Sequence, residues 1–146
     1  MNHSGRIDDD LGHVHLFRGL SKRQLRLVSS LGTRMEGEPG MVLTHEGRPG
    51  SEFIIVLDGT VEVRGADRVL ATRGAGDFLG EIALLGARPR TATTVAKTCM
   101  VIDVMSRREF WSLLHEVPEL SDQLRATMAD RLTGREIPDE RVAGAS

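Results

Sequence analysis

Phe53-Ile-Ile-Val-Leu-Asp-Gly-Thr-Val-Glu-Val63 is the stretch of the chain that decides the fold. It begins with five consecutive apolar residues, which favour a strand, and then alternates between apolar and charged side chains, as a strand does when one face lies in water. Asp58-Gly59 between the two runs is a strong signal for a type I′ hairpin. The stretch therefore predicts two short strands of an antiparallel β structure.

Further short runs of strand-forming residues lie on both sides of this stretch, separated by glycine and proline turns. These runs are Met41–Thr44, Val69–Thr72, Thr91–Val95 and Thr98–Val104. Closely spaced short strands with glycine turns predict an antiparallel β jelly-roll barrel.

Helices are predicted before and after the barrel. Ser21 begins a capping box with Gln24, and Ser106 begins a second one with Glu109. Pro118 is expected to be the first residue of a last helix. That helix carries an apolar stripe formed by Leu120, Leu124, Met128 and Leu132. The predicted fold class is mainly β with flanking helices (α+β), with an N-terminal helical segment and two C-terminal helices.

Length and composition limit the number of domains and the classes of ligand that the chain can be expected to bind. A chain of 146 residues predicts one domain, placed at residues 13–134 between a flexible lead-in, 1–12, and a flexible tail, 135–146. Nineteen basic residues against twenty-one acidic ones give a net charge of -2, and aromatic residues make up 3%. We therefore expect no direct binding of nucleic acid. The apolar stripe of the last helix is more typical of an intramolecular core, and a homodimer through it is the second interpretation.

Targeting signals and reactive groups are few. No apolar run approaches the length of a transmembrane helix, and the first residues lack the pattern of a signal peptide, so a cytoplasmic protein without membrane contact is predicted. Cys99, the single cysteine, lies in an apolar run and is predicted to be a buried, inert thiol. His13 and His15 have the spacing of some cupin metal ligands, but no third ligand accompanies them, so no metal site is expected.

Catalysis is not predicted, because no serine or cysteine nucleophile is accompanied by a recognisable base. A cupin-like metalloenzyme is the more distant alternative.

The chemistry of the chain lies in residues 78–93, which do not have the pattern of a strand. Gly80 permits close approach of the backbone, and residues 81–85 favour a short helix whose free N–H groups suit a phosphate. The planar guanidinium of Arg90 matches two phosphate oxygens. Glu81 is suited to accept a hydrogen bond from a ribose hydroxyl. A ligand with one phosphate and a free ribose hydroxyl meets these requirements.

These residues resemble the phosphate-binding segment of the cyclic nucleotide-binding domain family, which includes the catabolite activator protein and the regulatory subunits of cyclic-nucleotide-dependent kinases. The matching residues are Gly80-Glu-Ile-Ala-Leu-Leu85 followed by Pro89-Arg-Thr-Ala-Thr93, and upstream Glu46-Gly47-x-x-Gly50-x-x-Phe53-x-Ile55-x-x-x-Gly59-x-Val61-x-Val63. The resemblance covers residues 14–133.

The resemblance implies a ligand, cAMP more than cGMP, and no other cofactor. It implies that Glu81 holds the ribose 2′-hydroxyl, that Arg90 holds the phosphate, and that the main-chain amides of Ala83 and Ala92 donate to the phosphate. Thr91 would contact the phosphate or the purine edge. The predicted binding residues are Gly80, Glu81, Ile82, Ala83, Arg90, Thr91 and Ala92.

The predicted function is a regulatory module of signal transduction that binds a cyclic nucleotide and transmits occupancy through residues 106–132. The alternative is an interaction module of the same fold that has lost nucleotide binding. Since no winged helix follows residue 133, DNA binding like that of the family's transcription factors is not expected. The downstream effector stays open.

Overall fold

The computed structural model describes residue 11 and residues 14–45, 47, 52–65, 67–80 and 92–133. In chain order, these residues form a 3-10 turn at His15–Phe17, helix α1 at Lys22–Leu31, strands β1 at Thr33–Gly37, β2 at Val42–Thr44, β3 at Glu52–Asp58, β4 at Thr60–Gly65, β5 at Arg68–Gly74, β6 at Phe78–Leu79, β7 at Thr93–Ala96 and β8 at Met100–Ser106, and helices α2 at Arg107–Glu116 and α3 at Glu119–Thr133. None of the helices within this described part is long and apolar enough to cross a bilayer.

The strands form two four-stranded antiparallel sheets. The first sheet has the order β1-β8-β3-β6 and the second has the order β2-β7-β4-β5. Apolar side chains from both sheets meet in a buried interior made of Ile54, Val56, Val61, Leu79, Ala96, Met100, Ile102 and Val104. The predicted fold class, an antiparallel β jelly roll with flanking helices, is confirmed.

The first sheet is covered on both faces, which explains why the run from residue 53 to residue 57 is continuously apolar. Ile54 and Val56 point into the interior between the sheets, whereas Phe53 and Ile55 belong to the cluster under the helices. The second sheet is covered on one face only. Arg64 of this sheet is exposed, as expected for a side chain on the face that lies away from the buried interior of the barrel.

The predicted hairpin at Asp58-Gly59 is wrong. β3 pairs with β6 and β8 in the first sheet, whereas β4 pairs with β5 and β7 in the second sheet. Asp58-Gly59 therefore carries the chain from one sheet to the other. The reason is that β8 and β6 occupy the two edges of β3, which leaves no edge at which β4 could pair with it. The hairpin of this region joins β4 and β5 instead.

Gly59 is nevertheless essential to this crossing, because its φ is +98° and a Cβ atom would lie 2.5 Å from the carbonyl oxygen of Cys99 and 2.7 Å from the Cβ of Met100. Gly40 has nearly the same φ, +92°, and open space around it. We expect Gly40→Ala to lower the free energy of unfolding by about 1 kcal/mol through backbone strain. Gly59→Ala should cost about 2 kcal/mol more, because the new methyl group overpacks the turn. Urea unfolding of both variants measures the difference, and equal losses would contradict it.

Both predicted capping boxes are present. The Gln24 amide donates to the Ser21 hydroxyl at 3.1 Å, and the Glu109 amide donates to the Ser106 hydroxyl at 3.1 Å. In each box the side chain of the third helical residue accepts in return from the cap amide. α1 ends at Leu31, with Gly32 as its C-terminal cap. α3 begins at Glu119, one residue after the predicted start, because the residue before it forms a turn.

The apolar stripe of α3 belongs to the chain's own core. Leu120 and Leu124 are fully buried in the cluster under the helices, and Met128 is half-buried. The side chain of Leu132 lies outside the described residues. The cluster contains Leu11, Val14, Leu16, Phe17, Val28, Phe53, Ile55, Phe78, Met105, Phe110, Leu113, Leu114, Val117, Leu120 and Leu124.

The prediction of a buried thiol is wrong. Cys99 is exposed, because β8 begins at Met100 and Cys99 lies in the turn between β7 and β8. Within the apolar run that contains the cysteine, Met100 and Ile102 are therefore buried, whereas Cys99 is not.

A carboxylate lies buried between the first sheet and the helices. Asp103 of β8 is 2% exposed, and its Oδ2 atom has no hydrogen-bond partner among the described residues. The pKa of Asp103 is raised to about 6, mainly by burial and also by the negative charge of Glu109, whereas Arg34 on the neighbouring strand lowers it. Gly32, at the end of α1, lies against this carboxylate.

Candidate functional site

Residues 80–92, called segment 80–92 below, connect the two sheets. Before the segment, Phe78 and Leu79 of β6 pair with Ile55 and Ile54 in the first sheet. After it, β7 enters the second sheet, where Thr93 is opposite Arg64. The prediction that residues 78–79 are not a strand is wrong, because pairing with β3 buries both of their side chains. The segment begins and ends on opposite walls of the barrel.

Two of the predicted binding residues are described, one at each end of the segment. Gly80 is half-buried and has a φ of +99°, a conformation that side chains with a Cβ rarely adopt. Ala92 is buried, with 8% of its surface exposed. The remaining predicted residues, Glu81, Ile82, Ala83, Arg90 and Thr91, lie outside the described residues.

Two buried threonines hold the end of the segment. The Thr44 hydroxyl donates to the carbonyl oxygen of Ala92 at 3.1 Å and shares a hydrogen bond of 2.9 Å with the Thr94 hydroxyl. Thr44 and Thr94 are 7% and 3% exposed. These contacts fix the main chain where the segment enters β7. Sequence analysis missed both residues, since a threonine in a strand gives no signal that its hydroxyl is buried.

The basic residue opposite Thr93 is already paired. Arg64 Nη2 lies 2.7 Å from Glu62 Oε1, and Lys97 Nζ lies 3.3 Å from Glu62 Oε2. The hydrogen bond from Arg64 lowers the pKa of Glu62, and Lys97 acts in the same direction. Both cations of this cluster on the second sheet are paired with the same carboxylate, that of Glu62.

The start of the segment contacts the C-terminal helices through Phe78. The Phe78 ring lies 5.6 Å from Phe53, whose ring lies 4.8 Å from Phe110 of α2. From α3, Arg131 Nη1 donates to the carbonyl oxygen of Phe78 at 3.1 Å, and its guanidinium carbon lies 4.9 Å from the centre of the Phe78 ring. Immediately before Gly80, β6 therefore contacts α3 directly and is connected to α2 through Phe53 of β3.

The histidine pair is not brought into a metal site by the described residues. His13 lies outside them, and Nδ1 of His15 is 2.9 Å from Nη2 of Arg18, so this ring nitrogen accepts from a guanidinium. The part of the chain that the structure describes also brings no three histidine, cysteine, aspartate or glutamate side chains together in a geometry that could hold a metal ion.

Comparison with protein families gives one match, the cyclic nucleotide-binding domain, over residues 34–117. Among curated proteins, the Pycsar effector protein XpPycTIR of Xanthomonas perforans is 31% identical over 140 residues, which are 89% of this chain and 46% of that protein. The cAMP-dependent protein kinase regulatory subunit of Yarrowia lipolytica is 34% identical over 112 residues, which are 75% of this chain and 30% of that protein.

Among solved structures, the catabolite activator protein of Thermus thermophilus superposes with a TM-score of 0.74 at 28% identity, over 82% of this chain and 59% of that one. The chain spans less than half the length of the two curated relatives, 46% and 30%. The matched region includes both sheets from within β1 onward, segment 80–92 and all of α2.

Proposed function

The chain belongs to the cyclic nucleotide-binding domain family, and on that premise we propose that it is a regulatory module that binds cAMP in preference to cGMP with segment 80–92. The observation that carries the proposal is the position of the segment. The residues that resemble the family's phosphate-binding segment start at Gly80 on one sheet and return at Ala92 to the other. Similarity to a kinase regulatory subunit named as cAMP-dependent favours cAMP.

The proposed contacts follow from the chemistry of the ligand. Arg90 binds two oxygens of the cyclic phosphate with its planar guanidinium, and the main-chain amides of Ala83 and Ala92 donate to the same phosphate. Glu81 accepts a hydrogen bond from the ribose 2′-hydroxyl. Thr91 contacts the phosphate or the purine edge. Gly80 and Ile82 complete the set of binding residues.

Two features of the described ends support this site. The positive φ of Gly80 turns the chain at the point where β6 ends, and the Thr44 hydroxyl holds the chain where β7 begins. A loop with two fixed ends loses less conformational entropy when it closes on a ligand than a loop with free ends does. The arrangement is therefore suited to bind a small anion.

We further propose that occupancy is transmitted to α2 and α3. Phe78 lies two residues before Gly80 and contacts both helices, through Phe53 and Phe110 on one side and Arg131 on the other. Binding of the phosphate by segment 80–92 then favours one arrangement of these helices, provided that the nucleotide binds that arrangement more tightly. The proposal needs no second copy of the chain, since Leu120 and Leu124 of α3 are used in its own core.

Thermal unfolding with and without nucleotide tests the proposal. cAMP at a hundred times its dissociation constant should stabilise the fold by roughly 2.7 kcal/mol, cGMP should require higher concentrations, and linear 5′-AMP should have no effect at the same concentration. Titration calorimetry gives the two dissociation constants. Absence of heat and of saturation at millimolar concentration for both cyclic nucleotides would instead favour an interaction module without nucleotide binding.

A further inference from the structure

We propose that Arg131 is a positioning residue for the nucleotide site, which couples the place of α3 to the conformation of segment 80–92. The inference rests on the proposed function and adds to it the side chain through which the last helix senses the segment. Arg131 is the point at which α3 reaches across to β6, the strand that leads into Gly80.

The contact has two parts that act on the same residue. Nη1 of Arg131 donates a hydrogen bond of 3.1 Å to the main-chain oxygen of Phe78, and the guanidinium lies over the Phe78 ring at 4.9 Å. The Nε atom of Arg131 is buried and the hydrogen bond to Phe78 is partly buried, and partial removal from water strengthens charge-assisted hydrogen bonds and cation–π contacts. A single side chain therefore holds both the backbone and the ring of Phe78.

Phe78 connects the Arg131 contact to the start of segment 80–92 and to α2. Its carbonyl is two residues from Gly80, and its ring packs against Phe53, which packs against Phe110 of α2. A change in the path of β6 when the segment closes on a phosphate alters the geometry at Arg131 directly. In the same way, displacement of α3 withdraws the guanidinium from β6 and frees the start of the segment. By linkage, the effect must act in both directions.

Hydrogen–deuterium exchange with cAMP as the probe tests the coupling. In the wild-type chain, saturating cAMP should change amide exchange in α3 by about tenfold. In Arg131→Gln, the exchange of α3 should no longer depend on cAMP, and the dissociation constant of cAMP should rise several-fold. Arg131→Lys keeps the charge but loses the planar group, and we expect it to fall between the two. Arg125→Gln, at an exposed position of the same helix, is the matched control and should behave as the wild type does.

The outcomes separate a coupling role from a merely structural one. If α3 of Arg131→Gln exchanges faster by the same factor with and without cAMP, and the affinity for cAMP is unchanged, Arg131 only holds the helix and the inference is wrong. The inference also fails if wild-type α3 does not respond to bound cAMP; transmission through α3 then fails with it, whereas the proposed binding of cAMP stands. If wild type does not bind cAMP, the proposed function itself fails. Should Arg131→Gln not fold, Arg131→Lys and Phe78→Leu, which keeps the carbonyl but removes the ring, carry the same test.

Discussion

Arg90→Ala is expected to weaken cAMP binding by at least about thirtyfold, because truncating one partner of a desolvated charge pair costs about 2–5 kcal/mol and each 1.4 kcal/mol is a factor of ten. The phosphate would keep its main-chain donors but lose the fork that binds two of its oxygens. Titration calorimetry measures the loss of affinity. Thermal unfolding without nucleotide should show a melting temperature close to that of the wild type.

Arg88→Ala provides the matched control for this experiment. It removes the same charge two residues earlier in the same segment, at a position that the family resemblance does not include. Its affinity for cAMP should stay within a few-fold of the wild type, since it loses only distant, screened attraction to the phosphate. Arg90→Lys should recover part of the affinity through its charge but not the bidentate geometry. Equal losses for Arg88→Ala and Arg90→Ala would show that net charge, and not a specific contact, attracts the nucleotide.

Local signals were sufficient for the helices. Each capping box is a pattern of four consecutive residues whose partners lie within one turn, so Ser21 and Ser106 are identifiable as helix starts without any knowledge of the tertiary structure. The strand runs were also located, because strand-forming residues and glycine turns alternate along the chain. β1 was not predicted, since Thr33–Gly37 contains two charged residues and little apolar periodicity.

The pairing of the strands was less accessible to sequence reasoning. Asp58-Gly59 has the same local chemistry whether it closes a hairpin or carries the chain between sheets, and the choice depends on which strands lie beside β3. The continuously apolar run after Glu52 contained the relevant information, because a strand with both faces buried belongs to a sheet that is covered twice. Cys99 shows the same limitation at the end of an apolar run. A shift of one residue in the start of β8 determines whether Cys99 lies in the strand or in the turn before it.

The proposal that segment 80–92 binds the ligand rests on the sequence, because its residue types match the chemistry of a cyclic nucleotide. The residues that support the segment could not be predicted from the sequence. Thr44 lies 48 positions from Ala92, and Arg131 lies 53 positions from Phe78. Contacts over such separations are created by the topology of the barrel and leave no pattern in the local sequence.

The stability of the fold should fall as the pH rises from about 4 to about 6, and Asp103 is the reason. Burial raises the pKa of this carboxyl to about 6 in the folded chain, compared with 3.8 for an ordinary aspartate. Between these values the folded protein holds a proton that the unfolded chain has lost, so ionisation of Asp103 favours unfolding. The difference amounts to about 3 kcal/mol once the pH is above 6. Urea unfolding at pH 4 and pH 7 measures it.

Asp103→Asn isolates this contribution from the other carboxylates. The amide cannot ionise, so the variant should lose about 3 kcal/mol of the pH dependence. The free energy of unfolding of the variant minus that of the wild type should therefore be larger at pH 7 than at pH 4. Asp67→Asn, at an exposed turn position, should leave the pH dependence of the wild type unchanged. Glu109 and Arg34 are the charged groups that act on Asp103 from α2 and β1, and they remain in both variants. If wild type and Asp103→Asn lose stability in parallel from pH 4 to pH 7, the carboxyl of Asp103 is ionised in the folded chain throughout that range. Its ionisation then contributes nothing to the pH dependence of the free energy of unfolding.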